Sequence, residues 1–287
     1  MTTVQLQNGV VLPSLGFGTF QIWDQGAAAS AVAAALGVGY RLIDTAAGYF
    51  NEEGVGRGLK ASGVPRDQVV LTSKLWPTEA SYEGAKVALR RSLTKLGVDY
   101  LDVYLLHQAL GDYYGAWRAM QEAQAAGLVR AIGVSNFGAE RLVDLATFSG
   151  AVPAIDQIQR HPFKQQRLTV AAAAHLGVAI EAWQPLAHAA PALFNHPVVT
   201  AIAAAHRATV GQVVLAWQLQ QGVIVIPKST HLARMQENFA AQALTLTAAE
   251  LEAMAGLDRA PQDPGPQNTP DLIARLTKID PAGPHSG

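Results

Sequence analysis

The chain has 287 residues, 49 % hydrophobic and 15 % charged, which is enough apolar material for a sizeable core and speaks against global disorder. A formal charge of −1, from 21 basic and 22 acidic residues, gives no electrostatic reason to expect a nucleic-acid or membrane partner. The absence of cysteine excludes disulfides, thiolate nucleophiles and Cys-ligated metal sites.

The start, MTTVQLQNGVVLP, has no basic segment followed by an apolar run, so no secretory leader is expected. Val4–Leu6 and Val10–Leu12 flank Gln7-Asn8-Gly9, which reads as a β-hairpin with Asn-Gly in its turn. The most apolar stretch, Ala27 to Tyr40, contains Gly37 and Gly39 and is too short to span a bilayer. A cytoplasmic, monomeric protein is the expectation.

From Leu15 onward two patterns alternate. Short apolar, β-branched runs occur at Leu15–Thr19, Arg41–Thr45, Val69–Leu75, Tyr100–His107, Val129–Ser135, Ala154–Gln159, Val178–Trp183 and Gly222–Ser229. Several are continuous, as expected for parallel strands covered on both faces. Between them lie stretches with helical spacing: Ala28–Leu36, Glu52–Ala61, Tyr82–Leu96, Tyr114–Ala126, Ala139–Thr147, Gln165–His175, Val210–Gln221 and His231–Ala241. Gly37, Gly63, Gly97, Gly127 and Gly177 follow helical stretches, where a left-handed C-cap needs no side chain. Eight such units predict an α/β fold, a parallel (β/α)8 TIM barrel preceded by the hairpin at residues 1–13. Thr247-Ala-Ala-Glu250 is a capping box that starts a last helix near Leu251. Past Gly256 the chain turns Pro- and Gly-rich (Pro261, Pro264, Gly265, Pro266, Pro270), so residues 257–287 are expected to run as an extended tail over the surface. No linker interrupts the repeat, and residues 1–287 read as one domain.

Active sites of such barrels lie at the C-terminal ends of the strands. The strand exits present Asp44 with Tyr49 just beyond, Lys74 and Trp76, His107, Ser135-Asn136, Gln157, Trp183, and Lys228-Ser229. One Asp or His at a strand end is as often a cap or a core polar group as a functional one. A lysine inside Val69-Val-Leu-Thr-Ser-Lys-Leu75 is harder to dismiss, because an unpaired buried ammonium is costly. The four groups also make chemical sense together. A phenol, with an ordinary pKa of about 10, is a weak acid that a neighbouring ammonium strengthens. Asp44 can hold that ammonium, and Tyr49 and His107 can donate hydrogen bonds to a carbonyl oxygen that gains charge.

These motifs make the sequence similar to the aldo-keto reductase family, in particular its bacterial diketogluconate-reductase-like members. The resemblance runs from about Val4 to Arg259. It rests on Gly16-Phe-Gly-Thr-Phe20, Arg41-Leu-Ile-Asp-Thr-Ala-Ala-Gly-Tyr-Phe-Asn-Glu-Glu53, Leu71-Thr-Ser-Lys-Leu-Trp76, Leu101-Asp-Val-Tyr-Leu-Leu-His107, Arg130-Ala-Ile-Gly-Val-Ser-Asn-Phe137 and Ile226-Pro-Lys-Ser229. The resemblance implies reduction of small aldehydes and ketones by NADPH without a metal. Tyr49 would be the general acid, Lys74 and Asp44 would tune it, and His107 would orient the carbonyl.

The resemblance also implies the cofactor contacts. Ser135, Asn136 and Gln157 match the carboxamide residues, and Trp183 stands where the family has Tyr or Phe stacked on the nicotinamide. Lys228, Ser229, Thr230 and Arg234 match the 2′-phosphate site, and Glu237 and Asn238 the adenine contacts. Gly18, Thr19, Phe20, Asp44, Gln184, Leu186 and Ile226 complete the implied set. Chemistry agrees at the phosphate end, where cations and hydroxyls sit beside a helix N-terminus. A Gly-rich dinucleotide fingerprint is absent, since Gly16-Phe17-Gly18 lacks the third glycine and the helix after it.

Two positions depart from the family pattern. Gln108-Ala109 replace the aromatic and proline usual after the histidine, and Gln184 replaces the serine before Pro185. Phe20, Phe50 and Trp76, with His107, remain as expected walls of a substrate pocket. Gly133-Val-Ser-Asn-Phe137 is no nucleophile elbow, because it ends in Phe137. His188, His196 and His206 are expected in a solvated loop and helix before the last strand. The rival reading is a nucleotide-sensing interaction protein on the same fold with little turnover. Retention of all four catalytic residue types favours the enzyme.

Overall fold

The computed structural model describes residues 2–259 and 269–283. A hairpin of β1 (Thr3–Gln5) and β2 (Val11–Pro13) precedes the barrel, with Gly9 at the turn at φ +87°. The barrel strands are β3 (Phe17–Gly18), β4 (Leu42–Asp44), β5 (Val70–Leu75), β6 (Leu101–Leu106), β7 (Val129–Ser135), β8 (Ile155–Gln159), β9 (Ala179–Trp183) and β10 (Ile224–Val225). Each is hydrogen-bonded in parallel to the next, in chain order. Leu15 bridges Val225 in parallel, with Gly16 N–H donating to Val225 O at 2.8 Å, so the last strand meets the first.

Parallel strands need crossovers, and helices supply them. The outer helices are α1 (Gln25–Val38), α2 (Glu52–Ala61), α3 (Tyr82–Leu96), α4 (Tyr113–Ala125), α5 (Ala139–Phe148) and α6 (Arg167–Leu176). After β9 come α7 (Pro191–Phe194), α8 (Pro197–His206) and α9 (Val210–Leu219); α10 (Leu232–Ala240), α11 (Ala248–Ala255) and α12 (Pro270–Leu276) follow β10. Side-chain caps start several of them: Asp24, Ser81, Asp112 and Thr209 each accept a backbone N–H of the first turn. Thr247 and Glu250 form the expected capping box of α11. Among the described residues no single helix is long and apolar enough to cross a membrane.

The period of two along a strand decides what the barrel interior contains. Leu42, Val103, Leu105, Ala131, Ile155 and Ile224 form one inner cluster with Leu6 and Leu12 of the hairpin. The hairpin is anchored there by Gln7 Nε2 donating to Pro153 O (2.9 Å) and Asn8 Nδ2 to Arg130 O (3.1 Å). Two residues further on, the same face returns as a polar residue. Leu42 leads to Asp44, Leu105 to His107, Gly133 to Ser135, Ile155 to Gln157 and Ala179 to Glu181. An apolar plug below and a polar layer above are thus one alternation read at two heights.

Two details differ from the sequence reading. Gly37 lies inside α1, which continues to Val38, and Gly39 ends it at φ 123°. Phe239 Cζ lies 3.0 Å from where a Cβ of residue 39 would be, so both conformation and space select glycine there. The C-terminal segment is also not wholly extended. Thr269 accepts from Leu272 N–H and Pro270 occupies the first turn, which gives α12 an ordinary start. Trp76 Nε1 donates to Leu276 O (3.2 Å) and Thr78 Oγ1 to Ile279 O (3.3 Å), so this segment is tied to the β5 exit. Pro261, Pro264, Gly265 and Pro266 lie outside the described residues.

Candidate active site

Lys74, on β5, is fully buried. Its Nζ donates to both Asp44 oxygens at 2.7 Å, to Thr45 O at 3.0 Å and to the Tyr49 hydroxyl at 3.2 Å. An ammonium has three hydrogens, and here they meet a carboxylate, a carbonyl and a phenol. Burial pushes the ammonium pKa down, but Asp44 and Tyr49 outweigh it and leave a net rise, so Lys74 stays charged. Burial raises the Asp44 carboxyl, opposed by Lys74 and by a bond from Gln157 Nε2 at 2.8 Å.

Tyr49 follows β4 in a short 3-10 turn, Ala47–Tyr49, that starts after extended Ala46. Gly48 within it has no room for a side chain, because Trp76 Cε3 lies 2.3 Å from the Cβ position. The Trp76 indole therefore lies against the backbone that carries the phenol. Burial pushes the Tyr49 hydroxyl up to about 12, with the Lys74 charge pulling the other way. Sequence reasoning foresaw the pull of the lysine; desolvation is the larger effect.

His107, just past β6, stands beside both groups. Its ring centroid is 5.5 Å from that of Tyr49 and 4.8 Å from that of Trp76. Burial, then the Lys74 charge, lowers its pKa well below the usual histidine value, so the imidazole is neutral at physiological pH. Nδ1 is sealed without a partner among the described residues, which leaves Nε2 as the nitrogen that reaches the cavity.

That cavity measures about 880 Å³ and runs across the top of the barrel. Asp44, Tyr49 and His107 line it, whereas Lys74 lies beneath. Gly18, Phe20, Ser135, Asn136, Gln157, Trp183, Gln184, Leu186, Ile226, Lys228, Ser229, Arg234, Glu237 and Asn238 line it as well, as do Phe50 and Trp76. Thr19 and Thr230 do not. Thr19 is buried with its hydroxyl on Asp44 O (2.9 Å), a brace for β4, and Thr230 is exposed.

At mid-cavity, Asn136 adopts φ +60° and donates from Nδ2 to His107 O (3.1 Å) and Ser135 Oγ (3.0 Å). Its Oδ1 accepts from Trp183 Nε1 at 2.9 Å, a bond that a tyrosine or phenylalanine ring in place of the indole has no N–H to make. Gln184, at φ +50°, bonds His188 and accepts from Gln159 Nε2 (2.7 Å). At the far end, Lys228 and Arg234 are exposed and have no ion-pair partner among the described residues. Arg234 is the third residue of α10, so helix N-terminus and cations both suit an anionic group.

Sequence reasoning did not find Leu272, Leu276 and Ile279, which wall the cavity beside Trp76. The Thr269-Pro270 pair followed by apolar positions was the readable signal. It also missed Glu181, 1 % exposed, which accepts from Gln157 Nε2. Its position two before Trp183 on one strand placed it inward. His196 caps α8, and His206 pairs with Glu250 at 2.9 Å, both away from the cavity.

The Aldo/keto reductase family model matches residues 14–259. The methylglyoxal reductase DkgA of Escherichia coli is 41 % identical over 261 residues, 90 % of this chain and 94 % of that protein. The crystal structure of an aldo/keto reductase from Brucella melitensis superposes with a TM-score of 0.86 at 41 % identity, covering 90 % of this chain and 99 % of that one. An aldo-keto reductase of Bombyx mori, solved in complex with NADP, gives a TM-score of 0.86 at 34 % identity, covering 90 % and 93 %.

The buried pair makes a stability prediction. Asp44→Leu strands the Lys74 ammonium and should cost about 3–5 kcal/mol in urea unfolding at neutral pH. Adding Lys74→Met should recover most of that loss, since apolar residues then fill the place of the pair. A double variant no more stable than Asp44→Leu would contradict the pairing.

Proposed function

Because the chain belongs to the aldo/keto reductase family, we propose that it reduces aldehyde and ketone groups of small molecules to alcohols with NADPH, Tyr49 supplying the proton. The observation that carries this reading is a phenol held 3.2 Å from a buried ammonium at the wall of a long cavity.

The donor set fits such a cofactor. Lys228 and Arg234, unpaired among the described residues, suit the 2′-phosphate with Ser229, and Glu237 and Asn238 lie beside them for the adenine. Ser135, Asn136 and Gln157 are uncharged groups suited to a carboxamide, and Trp183 offers an aromatic face. The likeness to the NADP complex of the Bombyx mori protein supports the same assignment. When bound, the dihydronicotinamide supplies the hydride.

The chain's own residues do the rest. His107, neutral, donates from Nε2 to the carbonyl oxygen and orients it. Tyr49, whose raised pKa keeps it protonated at neutral pH, passes its proton to that oxygen as charge develops there. Lys74 stabilises the phenolate left behind, and Asp44 keeps Lys74 charged. Phe20, Phe50 and Trp76 exclude water from one side, and α12 covers another. Beside His107, the half-buried Gln108 offers an amide with no hydrogen-bond partner among the described residues. Such a wall suits a small carbonyl compound with a second oxygen, and the methylglyoxal reductase likeness points the same way.

Two measurements test the reading. Tyr49→Phe should lower kcat for NADPH-dependent reduction of methylglyoxal by about 10³-fold, with the NADPH Kd changed less than twofold. Full turnover in that variant would rule out Tyr49 as the acid. Arg234→Ala should raise KM for NADPH by about tenfold or more, the worth of a charged hydrogen bond, and barely move that for NADH. Equal effects on both cofactors would remove the phosphate assignment.

A further inference from the structure

Glu181 takes no part in the chemistry just described, yet it sits within the same buried layer. On β9 it pairs in register with Gln157 of β8 on one side and with Ile224 of β10 on the other. The charged and titratable groups that act on it are Asp44 and Lys74, and it acts in turn on Tyr49; the β10 side is apolar. Its contact is with the Gln157 amide: Nε2 donates to Asp44 Oδ2 at 2.8 Å and also to Glu181 Oε1.

A primary amide has two N–H donors and one carbonyl acceptor. Here both donors point into the barrel, each spent on a carboxyl group. Gln157 lines the cavity, and its Oε1 is neither bonded within the described residues nor sealed from that space. The amide torsion of glutamine is broad and roughly two-fold, so its direction must be imposed by partners. Asp44 alone offers one bond. With Glu181 added, Nε2 serves two acceptors at once, and an inward-turned oxygen would lose both bonds and face the Asp44 carboxylate.

We propose that Glu181 is a positioning residue, which with Asp44 turns both N–H bonds of Gln157 inward and leaves Oε1 as an acceptor for the amide N–H of a nicotinamide carboxamide. The inference rests on the cofactor reading above. Burial, then the Asp44 charge, pushes the Glu181 carboxyl up to about 8, so at neutral pH it is mainly a neutral acid. A neutral carboxyl still accepts through its carbonyl oxygen, and it avoids a second buried negative charge beside Asp44.

The test compares Glu181→Met, which removes the acceptor, with Glu181→Gln, which keeps one without charge. Tryptophan fluorescence quenching, with Trp183 and Trp76 on the cavity wall, reads the Kd of each ligand. The ligands are NADPH and 2′-phospho-ADP-ribose, which lacks the nicotinamide. Glu181→Met should weaken NADPH about tenfold, the worth of one hydrogen bond, and leave 2′-phospho-ADP-ribose within about twofold. Glu181→Gln should restore NADPH affinity to within about threefold of the parent. An unchanged NADPH Kd in Glu181→Met, or equal weakening of both ligands, overturns the proposal. If Glu181→Met does not fold, Glu181→Ala is held to the same outcomes. Failure of the unsubstituted protein to bind NADPH would instead overturn the cofactor reading, and this inference with it.

Discussion

A single ammonium sealed inside the upper end of the barrel constrains everything around it. Lys74 has no access to solvent, and a buried cation without partners costs several kcal/mol. Its three neighbours follow from that cost: both oxygens of Asp44, the Thr45 carbonyl and the Tyr49 hydroxyl. The constraint then spreads sideways. Asp44 also takes one N–H of Gln157, whose other N–H goes to Glu181, so polar side chains from β4, β5, β8 and β9 form one connected set. Such a set specifies the relative height of four strands more tightly than apolar packing does.

The same arrangement resolves two opposing demands on Tyr49. Burial makes its phenol a weaker acid than in water, while the adjacent ammonium stabilises the phenolate. Burial dominates, which on the proposed reading keeps the proton in place until a carbonyl oxygen is beside it. On the proposed reading Lys74 matters most at the moment the proton leaves, because its attraction grows with the charge left on the phenol. His107 completes the set by staying neutral, because there burial and the Lys74 charge act in the same direction.

Much of this was legible in the residues themselves, because the barrel repeats one rule. Continuous apolar runs marked the eight strands, and the exits of those runs led to Asp44, His107, Ser135, Gln157 and Trp183, which the structure brings around one cavity, and to Lys74 buried beneath it. Legibility failed where tertiary contacts decide. Gly39 rather than Gly37 ends α1 because Phe239, two hundred residues away, occupies the space of a side chain. The segment after Thr269 looked like tail in a Pro-rich context, yet bonds from Trp76 and Thr78 tie it beside the cavity. Glu181 was passed over because it sits inside a strand rather than at its exit, although the period of two along β9, two residues before Trp183, placed it inward. The Trp183–Asn136 bond was likewise beyond a sequence, since it depends on the left-handed backbone of Asn136.

On the proposed reading, hydrogen moves between a nicotinamide and a carbonyl carbon in this cavity, with Tyr49 supplying the accompanying proton. NADPH carrying deuterium on both C4 positions, mixed with methylglyoxal and the protein, tests that transfer directly when the alcohol is analysed by mass spectrometry. One deuterium is expected on the former carbonyl carbon, and none on the oxygen once the product is in ordinary water. Alcohol formed without deuterium on that carbon, or NADPH bound with no alcohol from any small aldehyde or ketone, would contradict it.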